Sequence, residues 1–302
     1  MPGSPLATSP QIFDRALIRA RQRRAAALGP ATFLLDRVGD EFSDRLNAVT
    51  RRFDVAVDLG TPGDAIARAL ARFPSIGTVF RSGFAADAQQ NTIATDEEAL
   101  PFRDGSLDLI VSGLALQFVN DLPGVLVQIR RALKPDGLFV AALLGGETLT
   151  ELRQAFAAAE SELEGGASPR VAPFADLREL GALLQRAGFA LPVTDVDRVT
   201  VRYGTAFDLM RDLRRMGATN ALLDRRRTPL RRATLLRMAE VYAERFGDPD
   251  GRLRATFEIV WLSGWAPHPD QQKPLQPGSA KTRLADALGT REIGAGEKPG
   301  GG

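Results

Sequence analysis

Chemistry in this chain has few places to come from. The sequence holds no cysteine and a single histidine, His268. Thiolate nucleophiles, disulfides and cysteine-ligated metals are therefore excluded. A multi-histidine metal centre has too few imidazoles, and a Ser-His-Asp triad would have to draw on His268, near the C-terminal tail. What remains is a set of carboxylates, amides and glycines that follow short apolar runs. ThrAspGluGluAlaLeuProPhe, residues 95–102, places Asp96, Glu97 and Glu98 at the end of one such run. A carboxylate there can accept a hydrogen bond from an exocyclic amine such as that of adenine; a solvated acidic turn would read the same. AspLeuGlyThrProGlyAsp, residues 58–64, carries Asp58, Gly60 and Gly63. Glycines at that point let a ligand approach the backbone, and a following helix offers N–H donors. A plain strand–helix turn would use the same glycines.

Further along, Ser112, Gly113 and Ala115 leave room for a bound group. Gln117 and Asn120 add neutral hydrogen bonds but no titratable base. Asp121 reads as a helix N-cap, with Pro123 in the first turn. Glu147, in GlyGlyGluThrLeu, either reaches a pocket or favours its helix through the dipole. Arg214 and Asn220 flank Gly217, which fits a helix C-cap, so they face a substrate or simply end a helix.

The elements that must position these residues alternate. Strands are predicted at 55–60, 76–80, 91–95, 107–112, 138–144, 193–203 and 254–265. Helices are predicted at 13–27, 33–49, 63–72, 122–133, 148–163 and 176–187, with a helical block over 207–246. LysProAspGly, residues 134–137, reads as a turn. The alternation of the first five strands with helices implies a parallel sheet covered on both faces, within an α/β doubly wound, Rossmann-like fold of seven strands. Its ligands lie at the carboxyl ends of the strands. An N-terminal helical segment, 1–50, precedes a main domain, 51–266. A helical insertion, 204–250, interrupts it before the last strand. A C-terminal extension, 267–302, follows, with a short helix near 280–288. Residues 1–10 and 294–302 read as disordered ends.

Composition narrows the setting. Of 39 basic residues only four are Lys, a bias that reads as a GC-rich bacterial genome. ArgArgArg at 225–227 lacks interleaved aromatics, so it reads as a solvated face and not a nucleic-acid site. No apolar run reaches the 18 or so residues of a spanning helix, and no secretory h-region opens the chain. A cytoplasmic protein is expected, reaching the inner membrane only through a partner.

Several stretches together carry a resemblance. They are PheAspArg (13–15), the loop at 58–60, AspGluGluAlaLeuProPhe (96–102), ValAsnAspLeuPro (119–123), GlnIleArgArgAlaLeuLysProAspGly (128–137), GlyGlyGluThrLeuThrGluLeuArg (145–153), MetGlyAlaThrAsn (216–220) and ProGlySerAla (277–280). The chain resembles class I S-adenosylmethionine-dependent methyltransferases, and more narrowly the complex I assembly factor 5 family with its bacterial relatives. That resemblance implies S-adenosyl-L-methionine as cofactor, held by Asp58, Gly60, Gly63, Asp96, Glu97 and Ser112. Gln117, Asn120, Glu147 and Asn220 would stand on the substrate side. It also implies a partner among the NADH dehydrogenase subunits. The activity it implies is methyl transfer; the alternatives are a non-catalytic assembly factor and a protein arginine hydroxylase. The chain departs from the family pattern at three places. Asp64 replaces a glycine of the first loop. Gly83 stands where a ribose-binding acid is expected, beside Arg81. LeuGlnPhe, 116–118, replaces LeuHisTrp.

Overall fold

A computed structural model describes residues 11–83 and 91–271. The described residues up to Pro267 form one compact unit, and those from His268 on fall outside it. The predicted disordered ends and the helix near 280–288 lie outside the described residues.

The first unit is built on seven strands: β1 Phe53–Asp58, β2 Ile76–Gly83, β3 Thr92–Ala94, β4 Leu107–Gly113, β5 Leu133–Leu144, β6 Ala190–Tyr203 and β7 Leu253–Trp265. Their order in the sheet is β3-β2-β1-β4-β5-β7-β6. The first five run parallel. β7 departs from this direction and lies antiparallel to both β5 and β6. The cause is connectivity. β7 returns from the helical insertion to fill the gap between β5 and β6, and a strand returning beside its predecessor runs against it.

Residue alternation sorts the core onto two faces. Leu109 and Val111 point to one cluster, Ile110 between them to the other; Val140 and Phe139 divide the same way. Period-two alternation of uniformly apolar residues is what a strand covered on both sides requires. One face is covered by helices α2 Phe33–Asn47, α3 Ala65–Leu70, α5 Thr150–Glu164 and α8 Arg232–Phe246. The other is covered by α4 Leu122–Ala132 and α6 Leu177–Arg186. Asp121 caps α4 as expected, its Oδ1 accepting from the Gly124 N–H at 2.9 Å.

Helix α1, Arg15–Ala27, packs on neither face. Phe13 and Ile18 form a small cluster of their own with Ala221 and Leu222. Asp14 caps it by accepting from the Leu17 N–H. The helical block predicted over 207–246 resolves into α7 Ala206–Arg215 and α8 with a non-helical link. Gly217, at φ +72°, terminates α7. Residues 134–137 are not a free turn. They bulge within β5, where the register slips from Leu107↔Leu133 to Leu109↔Leu138 and Asp136 takes φ +62°.

The two clusters hold the sheet, so truncating one residue there tests the packing. Phe139 is fully buried and stacks on Phe189 at 5.5 Å. Phe139→Ala is expected to lower stability by about 3–5 kcal/mol, read as a lower urea midpoint at unchanged slope.

Candidate functional site

Strand order reverses between β1 and β4: β2 and β3 extend to one side, β5 to the other. Loops leaving β1 and β4 therefore separate and open a crevice at their carboxyl ends. A cavity of about 560 Å³ lies there, within the range of roughly 300–1,000 Å³ usual for small-molecule sites. Its rim is Gly60 to Gly63 after β1, Ser82 and Gly83 at the end of β2, Glu97 after β3, and Leu114 and Gln117 after β4. Its deep wall is apolar, with Leu149, Leu152 and Phe156 from the α5 side and Met210 and Leu213 from α7.

Of the ten predicted site residues, Gly60, Gly63, Glu97, Gln117 and Asn220 line this cavity; the other five do not. Gly60 and Gly63 hold φ +71° and +78°, a region costly to other residues. A Cβ at Gly63 would meet nothing within 4 Å, so the loop there faces open space. Gln117 is 9% exposed; its amide donates to the Leu114 carbonyl at 2.8 Å, while its Oε1 has no partner. Ser82, which the sequence reading passed over, is 4% exposed with an unpartnered hydroxyl. Orphaned buried polar atoms are rare in folded proteins, and these two sit on the wall of one cavity. Both fit a polar ligand such as an adenosyl group.

The other five are placed elsewhere. Ser112 is fully buried and its hydroxyl donates to the Leu59 carbonyl at 2.7 Å, tying the β1 loop to β4. Asn120 is a brace: its Oδ1 accepts from the N–H groups of Ile12 and Phe13 at 2.8 and 2.7 Å. Glu147 is exposed, with its backbone near Glu258. Asn220 lines the cavity, but its amide is already committed to the Pro169 carbonyl and the Leu222 N–H. Asp96 sits behind the rim, and its partners come from α1. Arg15 donates to it at 2.9 Å, and Arg19 donates to its other oxygen. Burial works against its ionisation, but the Glu98 N–H, Arg15 and Arg19 outweigh that and hold its carboxyl below the usual range. Glu97 also accepts from Arg15, which the sequence placed in a recognisable PheAspArg triplet without a role.

Asp58 lies beneath the loop, 1% exposed, and neither oxygen has a hydrogen-bond partner. Burial pushes its carboxyl up to about 7, against the pull of Thr61, the Arg81 charge and the Ala67 N–H. A carboxyl raised on folding binds its proton more tightly in the native state. Stability then falls as pH rises from about 4 towards 7. Asp58→Asn is expected to flatten that fall, gaining on the wild type by up to a few kcal/mol between pH 4.5 and 7.5. Urea unfolding across that window measures it; parallel pH profiles for the two proteins would refute the assignment.

Residues 55–141, which span β1 to β5, match a family model described as a methyltransferase domain. Over nearly its whole length the chain is similar to proteins named arginine-hydroxylase NDUFAF5, mitochondrial. Identity is 38% with the Danio rerio protein, covering 91% of this chain and 89% of that one. It is 40% with the Mus musculus protein, covering 96% and 89%. Among solved structures, a Bacillus halodurans protein described as a candidate methyltransferase superposes with a TM-score of 0.52 at 14% identity, covering 76% of this chain and 98% of that one. That likeness concerns the fold alone. The sheet order, the crevice at its switch point and the length of these alignments agree: the chain belongs to the NDUFAF5 family of class I methyltransferase-fold proteins.

Proposed function

We propose that this protein binds S-adenosyl-L-methionine in the switch-point cavity and transfers its methyl group to an acceptor, in support of respiratory NADH dehydrogenase assembly. The observation that carries the cofactor reading is the pair of unpartnered buried groups, Ser82 Oγ and Gln117 Oε1, on the same wall as the Gly60–Gly63 loop. The loop's backbone would take the ligand's close approach. Ser82 would hold a ribose hydroxyl, at the strand end where Gly83 brings no acid. Glu97 would face the adenine side. When bound, the cofactor supplies an electrophilic methyl on a sulfonium. The chain's own part is to hold and desolvate the reactants. Transfer to a ready nucleophile needs alignment more than a strong base. This fits a lining in which, among the described residues, Glu97 is the only carboxylate. The apolar wall from α5 and α7 would exclude water from the acceptor side.

A second reading, hydroxylation of an arginine in a partner protein, is favoured by the extent of the likeness to proteins bearing that name. Under either reading the partner is an NADH dehydrogenase subunit. The setting is the bacterial cytoplasm beside the inner membrane, supported by the Arg-over-Lys composition. Among the described residues, no helix is long and apolar enough to cross a membrane.

Isothermal titration with adenosylhomocysteine is expected to show one site per chain. Ser82→Ala should weaken it by roughly 2–12-fold, the range of one net hydrogen bond. No binding at millimolar ligand would sink the cofactor reading. Mass spectrometry of NADH dehydrogenase subunits from a deletion strain separates the two chemistries: a lost 14 Da methyl supports transfer, a lost hydroxyl on arginine supports the second reading.

A further inference from the structure

The glycine loop that should receive a ligand is covered from inside the protein. Gly60 turns at φ +71°, and a Cβ there would stand 2.8 Å from both Cγ and Oε1 of Glu97. The space beside the Gly60 backbone is therefore filled by the Glu97 side chain, itself 6% exposed. Glu97 is held in place by Arg15. One Arg15 nitrogen donates to both Glu97 and Asp96, and another to the Phe118 carbonyl at 3.2 Å. Its Nε lies 3.8 Å from Glu98, and the Arg15 side chain is only 15% exposed.

Helix α1 does not depend on this contact to stay docked. The Asp14 N–H donates to the Ala221 carbonyl at 2.9 Å, Arg225 pairs with Asp14 at 3.1 Å, and Phe13 packs edge-on against Phe118 at 5.8 Å. Arg21 donates to the Thr219 carbonyl at 2.7 Å. The helix has anchors on one side and a guanidinium reaching the acidic corner on the other.

We propose that Arg15 is a latch: it holds Glu97 across the Gly60 loop, and an adenosyl ligand must release that hold to bind. The inference rests on the cofactor reading above. A ligand that approaches the Gly60 backbone displaces the Glu97 carboxylate, and a buried carboxylate parted from its guanidinium is costly unless it is given new donors. The adenine amine and ribose hydroxyls are neutral donors and replace the ion pair only in part. Ligand affinity and the Arg15–Glu97 pair therefore oppose one another, and by reciprocity the ligand loosens the first turn of α1. Arg15 is thus a positioning residue that acts through Glu97. An N-terminal segment that reports whether the cavity is filled is a means by which ligand state reaches a partner protein.

The test compares wild type with Arg15→Gln, Arg15→Lys and Arg225→Gln by titration with adenosylhomocysteine. Amide hydrogen exchange over residues 12–27 of the wild type, with and without that ligand, is a second measurement that needs no variant. Arg15→Gln is expected to bind 5-fold tighter or more, within the roughly 5–150-fold span of such couplings. Arg15→Lys keeps the charge but not the fork, and should fall between wild type and Arg15→Gln. Arg225→Gln loosens an anchor without touching the acids and should leave affinity unchanged. Ligand should raise exchange in the first turn of α1. A purely structural Arg15 predicts the opposite sign: weaker binding in Arg15→Gln and protection of α1 by ligand, and either result overturns the latch. Equal affinity in Arg15→Gln and wild type overturns it as well, leaving the cofactor reading intact. No binding in any form removes both together.

Discussion

Three consecutive carboxylates, Asp96, Glu97 and Glu98, converge on one guanidinium that belongs to a helix some eighty residues earlier. Like charges packed this closely at a half-buried strand end repel one another, and a counter-charge of fixed geometry is the condition for their coexistence. Arg15 meets that condition with a fork that reaches Asp96, Glu97 and a backbone carbonyl at once. Burial alone would make Arg15 easier to deprotonate, but the Glu97 and Asp96 charges more than reverse this. Much of the site's arrangement depends on the pairing. It holds the side chain that covers the Gly60 turn.

The rest of the site follows a division of labour between satisfied and unsatisfied polar groups. Ser112 donates to the Leu59 carbonyl and the Gly113 N–H to the Thr61 hydroxyl, which ties the β1 loop to β4 beside the crevice. Buried polar groups of that kind stabilise because both partners are present. Ser82 and Gln117 differ from them: each lines the cavity and holds a buried atom with no partner. Asp58 has none either, but it lies below the floor, and its strained protonation is a property of the turn and not of the ligand wall. Burial sorts these three cases where residue type alone does not.

The deep wall adds a constraint of another kind. It draws on α5, α7 and the insertion, elements that have no part in the first five parallel strands. The segment carrying Arg170 is pinned to this wall by Glu160, which is fully buried and also accepts from the Ser168 N–H. A buried ion pair of this sort holds one loop geometry more than it adds stability.

Much of the fold was legible in the residues. The β-branched and Leu runs at 55–60, 107–112 and 138–144, the Asp121 cap and Gly217 could have few other meanings, because local sterics and strand periodicity act within a few residues. The catalogue of loops at the strand ends was legible for the same reason, since parallel strands present all those ends on one edge. The direction of β7 was not, because it depends on which gap in the sheet a returning strand fills. Nor were the roles of individual polar residues. Asn120 and Glu147 stood in the right loops, yet side-chain direction and the competing partners Ile12, Phe13 and Glu258 placed them outside the cavity. Ser82 gave no signal in the sequence, since a lone serine at a strand end is ordinary until its hydroxyl is seen to be buried and unpaired. The pairing of Arg15 with the acidic corner spans about eighty residues with no periodicity to announce it. The sequence by itself determined the elements and the edge at which the cavity opens, because those are local properties. Only the tertiary structure decided which carboxylates are paired, which polar atoms are left over and what covers the glycine loop, because those depend on contacts between distant segments.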